Sequence, residues 1–597
     1  MFLKTIPGDV YGKEKAKTFK KWISNFMEDF KSILYWVFCG IIGPLNAVIY
    51  QKFLDEILYI LQARRGIKYG IVLLVLYSLM CLVSYILNLI LDYIKQLFSD
   101  LLDLHITKFI LKKSITFPME TFDNANVYNH INVGITQTTH NCLNLLDSLS
   151  ESIYAIIKGI GYGIIIARFN SVIVLLSILS SLPVLYISIQ TNKYWYRIFF
   201  ERTEKLRLIN YLKMIMIKNE NIKEIKLFKV GEKIVDLIKN TFSDFLDNDK
   251  RARKKFLYKK ITTQSLDEIV TFFIKIVILF FALKGKNSVG TIILYFNSQE
   301  NMKVSFNELL NKISVLHNSI LYLESLDAIQ NEKVVDEIGK NSFNNKFHVI
   351  EFKNVDFKYP GKEQYALKNV SLKFERGKIY SIVGFNGSGK TTLIKLLLRL
   401  YKPTNGVILV DGENVENISL ESYYSNISAV FQDFIKYPFS VEENIAVSER
   451  NKNSVDKKRF ESVIQLADIK NMINSFPDKA ETLLMKDWTG GSDISQGQWQ
   501  KIAIARCFYP DSSIAILDEP FSSIDAEAEN RIIRKIKEQS KNKLILYVTH
   551  RFSSITLADT IIVLKNGEIE EQGDHETLMY NRGTYFTLYK AQYDKSL

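Results

Sequence analysis

The stretch Gly384-Phe-Asn-Gly-Ser-Gly-Lys-Thr391 decides the fold class of the second half of this chain. It fits the pattern GxxxxGK[ST], with an apolar run, Tyr380–Val383, before it and a helical run, Thr392–Leu400, after it. A strand feeding a glycine-rich loop and then a helix makes a phosphate cradle: backbone N–H groups wrap the anion and the helix N-terminus adds its positive end. Gly384, Asn386, Gly387, Ser388, Gly389, Lys390, Thr391 and Thr392 are the candidate contacts. Lys390 is placed to reach the β- and γ-phosphates and Thr391 to offer a hydroxyl to Mg²⁺.

About 130 residues later, Ser513-Ile-Ala-Ile-Leu-Asp-Glu-Pro520 reads as a buried strand that delivers two carboxylates at its C-terminal end, where α/β sheets bind ligands. Asp518 suits a Mg²⁺ shell and Glu519 the task of general base on an attacking water. Further β-like runs, Phe347–Phe352, Ile379–Val383, Gly406–Val410, Ile514–Leu517 and Leu544–Val548, alternate with helical stretches, so residues 347–597 read as one α/β domain. Residues 336–346 lie in a Lys-, Asn- and Glu-rich linker.

Upstream the character differs. The 597 residues carry a net charge of +13, which would suit a polyanion binder if it were evenly spread. It is not: residues 341–597 hold 34 basic and 33 acidic side chains, whereas residues 1–340 hold 43 and 31. That basic half contains charge-free runs at Ser32–Gln51, Tyr69–Leu91 and Phe169–Asn192, long enough to cross a bilayer. Ser152–Ala167 and Ile269–Leu283 are interrupted only by Lys158 and Lys275, and a sixth span begins near Ser288. Residues 193–260 carry 19 basic against 9 acidic residues, as cytoplasmic loops do, and residues 1–31 are basic too. The expectation is an all-α domain of six membrane helices over residues 1–335, multi-pass in the cytoplasmic membrane with both termini cytoplasmic. The charge then records topology and lipid headgroups rather than nucleic acid. The N-terminal segment reads as an interfacial amphipathic helix without a cleavable signal. Cys39, Cys81, Cys142 and Cys507 are dispersed and read as reduced.

At this point the chain resembles the ATP-binding cassette family, along its whole length. The resemblance implies that Tyr359, in Phe357-Lys-Tyr-Pro360, stacks on adenine, a contact worth roughly 0.5–1.5 kcal/mol beyond burial. It implies that Gln432 senses Mg²⁺, that Ser522-Ser-Ile-Asp525 crosses a cassette dimer, and that His550 is the switch residue at the γ-phosphate. The family signature is matched by Ile494-Ser-Gln-Gly-Gln498 through Ser495, Gly497 and Gln498, with Gln496 in place of a glycine. Gln496 keeps the signature geometry only with a negative φ, and activity is then expected to be reduced but real. The stretch Leu484-Met-Lys-Asp-Trp488 departs from the family pattern.

One cassette cannot complete a site shared between a P-loop and a facing signature, so the resemblance implies a dimer, with a second copy of this chain as the expected partner. Phe117–Asn124 and Asn219–Gly231 resemble the cytoplasmic coupling segments of exporters. Phe431–Tyr437, Glu442–Ile445 and Gln498–Ala503 are similar to exporters of lanthionine-containing and related modified peptides, with ATP and Mg²⁺ as cofactors and peptide-modification enzymes as possible partners. About 31 residues precede the first span and Cys39 lies inside it, so a leader-trimming cysteine peptidase is expected elsewhere. A multidrug or lipid exporter is the alternative. A non-catalytic cassette would lack its catalytic acid, whereas Glu519 and His550 are present. Lys158 and Lys275 are expected to line the substrate path, or else to pair locally, Lys158 with Glu151.

Overall fold

The computed structural model describes residues 67–284, 289–334, 339–448, 455–549, 551, 555 and 558–593. The expected first span, Ser32–Gln51, and the interfacial N-terminus lie outside them, as does His550.

The chain divides into two compact units: residues 67–115 and 125–332 belong to one, and Thr116–Asn124 with the chain from Lys333 onward to the other. The first is helical. Its long helices among the described residues are α1 (Ile67–Ile115), α3 (Ala125–Phe169), α4 (Ser171–Ile217), α6 (Gly231–Lys284) and α7 (Val289–Asn331), with the short α5 (Asn219–Leu227) between α4 and α6. The short α2 (Met119–Phe122) belongs to the second unit. The expected sixth span is thus the start of a 43-residue helix. Asn170 breaks α3 from α4 and caps α4 through its side chain, which accepts from the Val172 N–H.

Asp147–Phe169 and Ser171–Trp195 are long and apolar enough to cross a membrane. Outward-facing Phe272, Phe273, Phe280 and Phe281 on α6 continue that apolar surface, which suits lipid as solvent. Inside the unit, Tyr162, Ile166, Ile274, Ile278 and Met302 form a packed core. The two lysines of the expected spans have local partners. Lys275 pairs with Glu300 of α7 at 3.0 Å, and Lys158 lies 5.7 Å from the Tyr154 ring. The alternative partner named for Lys158, Glu151, is instead bound by Lys312.

The second unit holds two sheets. An antiparallel sheet runs β2 (Leu367–Glu375), β1 (Val349–Phe357), β4 (Asn405–Val410), β5 (Glu413–Asn414). The other runs β10 (Glu568–Gly573), β9 (Thr560–Lys565), β3 (Ile379–Gly384), β8 (Leu544–Val548), β7 (Ile514–Asp518), β6 (Ile427–Val430), parallel from β9 to β6. Strands β3, β7 and β8 are buried along their length, as continuous apolar runs in a doubly covered parallel sheet must be. Helix α8 (Lys390–Leu397) follows β3, α9 (Gln496–Phe508) precedes β7, and α10 (Ala526–Gln539) follows it. Helix α8 starts two residues before, and stops three residues short of, the run read from sequence. Arg399, at φ 53°, turns the chain left-handed there. The 339–345 stretch, read as linker, bears Phe343, buried against Phe347 and Tyr423 with ring centroids 5.5 Å away in each case.

Candidate functional site

The phosphate loop leaves β3 at Gly384, and its shape is dictated by close approaches. A Cβ at Gly384 would stand 2.2 Å from the Leu564 carbonyl, and one at Gly389 would stand 2.8 Å from the Ala366 carbonyl. Both have positive φ, so only glycine serves. Beside Gly387 a Cβ would meet nothing within 4 Å, so the space next to it is open. Lys390 is buried and its Nζ donates to the carbonyls of Gly384 (2.9 Å) and Phe385 (3.1 Å), holding it over the loop. Burial pulls its pKa below the ordinary lysine value, partly offset by Glu519 and Asp518. Ser388 Oγ is buried with no hydrogen-bond partner among the described residues.

Asp518 ends β7 beside this loop. Burial, and next the Glu519 charge, push its carboxyl up to about 6, against the lowering pull of Lys390 and of a hydrogen bond from Thr391. Glu519 follows with φ 49°, a left-handed conformation that costs a non-glycine residue energy and is found where function requires it. Two contacts hold that turn: the Glu519 N–H donates to the Val548 carbonyl at 3.0 Å, and its carbonyl accepts from Gln500 Nε2 at 3.0 Å. Gln432 Nε2 donates to Glu519 Oε2 at 3.1 Å. The structure thus brings together Lys390, Thr391, Gln432, Asp518 and Glu519. Carboxylate, hydroxyl and amide oxygens are the hard donors that suit Mg²⁺. Mg²⁺ takes one or two such protein ligands and fills the rest of its shell with phosphate oxygens and water.

Tyr359 lies beside the start of α8, its hydroxyl 3.1 Å from Thr392 Oγ1 and its ring edge-on to Tyr401, with centroids 5.4 Å apart. Tyr401 in turn donates to Asp123, the residue that caps α2, at 2.8 Å. The segment Thr116–Asn124, one of the two candidate coupling segments, is therefore part of this unit although α1 and α3 on either side of it are not.

The signature segment forms the start of α9. Ser495 is the N-cap, accepting from the Gln498 N–H, while the Gln498 side chain accepts from the Ser495 N–H. Gln496 occupies the first helical position and is not among the positive-φ residues, so the conformational condition on it is met. Gly497 is held close to the loop after β7: a Cβ there would lie 2.6 Å from the Ser523 carbonyl. Two residues that sequence reasoning passed over fix this loop. Gln500, buried in α9, donates to Glu519 O and Ser522 Oγ and accepts from the Ser523 N–H. Arg551 donates to Ile524 O, Ser522 O and the fully buried Glu529. A glutamine two residues past the signature was a visible signal for the first; nothing local marked the second.

The ABC transporter family matches residues 367–522, which hold the phosphate loop, the signature and both carboxylates. The chain is 27% identical over 577 residues to the subtilin transport ATP-binding protein SpaT of Bacillus subtilis, covering 95% of this chain and 92% of that protein. It is 26% identical to the nisin transport ATP-binding protein NisT of Lactococcus lactis subsp. lactis, over 83% of each chain. It is 33% identical to the ATP-dependent lipid A-core flippase of Escherichia coli K12, over 51% of each. A bacterial Atm1-family ABC exporter solved with ATP bound superposes with a TM-score of 0.74 at 18% identity, covering 94% of this chain and 97% of that one.

Proposed function

We infer that this chain, an ABC exporter whose cassette is an ATPase coupled to transport, exports a ribosomally made modified peptide of the lantibiotic kind across the cytoplasmic membrane. The observation that carries the substrate is coverage. Likeness to the subtilin and nisin transport proteins runs over 95% and 83% of the chain, so it takes in the helical unit as well as the cassette. Likeness to the Escherichia coli lipid A-core flippase is higher, 33%, but spans 51%, and it sustains lipid export as the second reading.

In the proposed cycle the loop amides and Lys390 bind the phosphates of ATP, and Tyr359 receives the adenine. Glu519, oriented by Gln432 and by the clamp from Gln500, accepts the proton of the attacking water. Thr391, Gln432 and Asp518 would hold Mg²⁺, which when bound supplies charge neutralisation at the phosphates. His550 takes the γ-phosphate switch role. Ser495, Gly497 and Gln498 at the start of α9 offer a helix N-terminus to the nucleotide of a second copy, because a single chain has one loop and one signature. The same chain supplies both halves, so a homodimer suffices. Helix α2 reports nucleotide state on its own cassette through Tyr401. Leu227 and Phe228 stand exposed at the end of α5, in the second candidate coupling segment. ATP shifts the transporter between its two states only through unequal affinity for them, and a γ-phosphate shared by two subunits creates that inequality.

The test is stimulated ATPase of the purified protein. The cognate modified peptide should raise turnover at micromolar concentration, while lipid A analogues and hydrophobic dyes leave it unchanged. Stimulation by lipid alone would replace peptide export with the second reading.

A further inference from the structure

A cleft of about 830 Å³ lies between α4 and α6 at the end of the apolar stretch of α4. Its floor is neutral and rigid. Arg202 donates twice to Asp249, at 2.7 and 3.1 Å, once to the Phe245 carbonyl, and stacks 4.4 Å from the Phe245 ring. Its walls are not neutral. Lys205 of α4 and Arg251 and Lys255 of α6 line it, and none of the three has an ion-pair or hydrogen-bond partner among the described residues. Asp244 is the one acid of the lining likewise without a partner; Glu201 is taken by Arg197 and Asp247 by Lys250. Arg251 and Lys255 are four residues apart on one helix face, a repulsive arrangement that an anion between them would reverse.

The depth of the cleft says where that anion comes from. The apolar stretch of α4 ends at Trp195. Tyr194 packs on Trp195 and on Phe256 of α6, with ring centroids 5.6 and 5.3 Å away, and Arg253 lies over the Trp195 ring. Aromatic side chains at the end of an apolar run mark the membrane interface. Lys255 is beside Phe256, and Arg251 is five residues further, about 7 Å along a helix axis. The headgroup layer of a bilayer is of that thickness, about 5–7 Å per side. On the membrane side of the aromatic pair, Tyr186, Leu257 and Ile261 stand exposed, giving acyl chains an apolar surface.

We propose that this cleft binds the phosphate of an anionic phospholipid of the cytoplasmic leaflet, held by Arg251 and Lys255. The site joins the helix that enters α5 to the helix that leaves it, so an occupied cleft braces the second candidate coupling segment. A basic pocket between membrane helices on the cytoplasmic side is the arrangement that recognises such headgroups.

The experiment uses the full-length protein in nanodiscs of mixed phosphatidylglycerol and phosphatidylcholine, with retained lipid read by native mass spectrometry in the absence of ATP and peptide. Its outcome is therefore independent of the transport reading. The native chain should retain phosphatidylglycerol over phosphatidylcholine by at least about five-fold. Arg251→Gln with Lys255→Gln should bring that ratio near one, whereas the charge-conserving pair Arg251→Lys with Lys255→Arg keeps it. Lys254→Gln with Lys260→Gln, which removes equal charge from the same helix outside the cleft, should also keep it. Equal loss in the cleft and control pairs would reduce the effect to general surface charge and overturn the site. Displacement of the lipid by millimolar inorganic phosphate would assign the cleft to a free anion and overturn the lipid.

Discussion

In the cassette, Lys390 is buried and donates to carbonyls six and five residues before it. In the helical unit, Lys303 of α7 is equally buried and binds Asp267, Glu268 and Thr271 of α6, the last two 35 and 32 residues earlier. The first lysine is satisfied by its own loop, and its charge remains available to a ligand. The second is consumed by a neighbouring helix, and one oxygen of its partner, Asp267 Oδ1, still has no hydrogen bond among the described residues. The buried charge of Lys390 serves chemistry, whereas that of Lys303 fixes which helix lies against which. The Lys275–Glu300 pair, on the same two helices, repeats the second pattern.

The largest expected effect is on the chemical side. Glu519→Gln should lower ATP turnover about 10³–10⁴-fold while ATP binding, followed with a fluorescent analogue, stays within about two-fold of native. The Gln432 contact can persist, since an amide oxygen accepts as a carboxylate does. Turnover that survives would move the base elsewhere. On the structural side, Lys303→Met leaves Asp267 buried and unpaired, which should cost about 3 kcal/mol, read as a fall in the detergent unfolding midpoint. Adding Asp267→Leu should recover most of it, because the penalty belongs to the orphaned charge. Absence of recovery would mean that the pair contributes more than helix registry and would blur the contrast.

That contrast also explains what could be read beforehand. The phosphate loop, β3, β7 and the two carboxylates were legible because each is a local pattern: apolar run, glycines, then a charged residue at fixed offset. The signature's cap was legible for the same reason, Ser495 and Gln498 being three residues apart. The clamp by Arg551 was not, because its acceptors lie 22 to 29 residues away and meet it only when β7 and β8 pair. Nor was the fate of the membrane lysines. Sequence shows that Lys275 interrupts an apolar run, but its partner on α7 is set by helix packing. The strand β10 escaped for a different reason: it alternates exposed and half-buried residues and carries three glutamates, so it has little apolar signature.

Gly497→Ala tests the join between the signature and the loop after β7. The added methyl would press on the Ser523 carbonyl, a backbone atom that cannot swing aside. The loop that carries Glu519 should shift, and turnover should fall about 10²-fold with little change in unfolding temperature. Unaltered turnover would show that the two segments move together and that the close approach is packing alone.

The smallest effect bears on how the two kinds of region communicate. Tyr401→Phe removes one hydroxyl and keeps the ring that packs on Tyr359. The lost hydrogen bond to Asp123 should cost about 1–2 kcal/mol, because its acceptor is charged. If α2 were held to the cassette by shape alone, neither basal ATPase nor transport would move. If the hydroxyl carries nucleotide state to the segment between α1 and α3, basal ATPase stays near native while substrate stimulation drops about five-fold, the factor that 1 kcal/mol represents. Asp123→Asn is the control: it keeps an acceptor for the hydroxyl and should retain most of the stimulation. A loss of basal ATPase in Tyr401→Phe would instead place the residue in adenine binding through Tyr359, and the bond to Asp123 would then be a consequence of the fold and not the link across it.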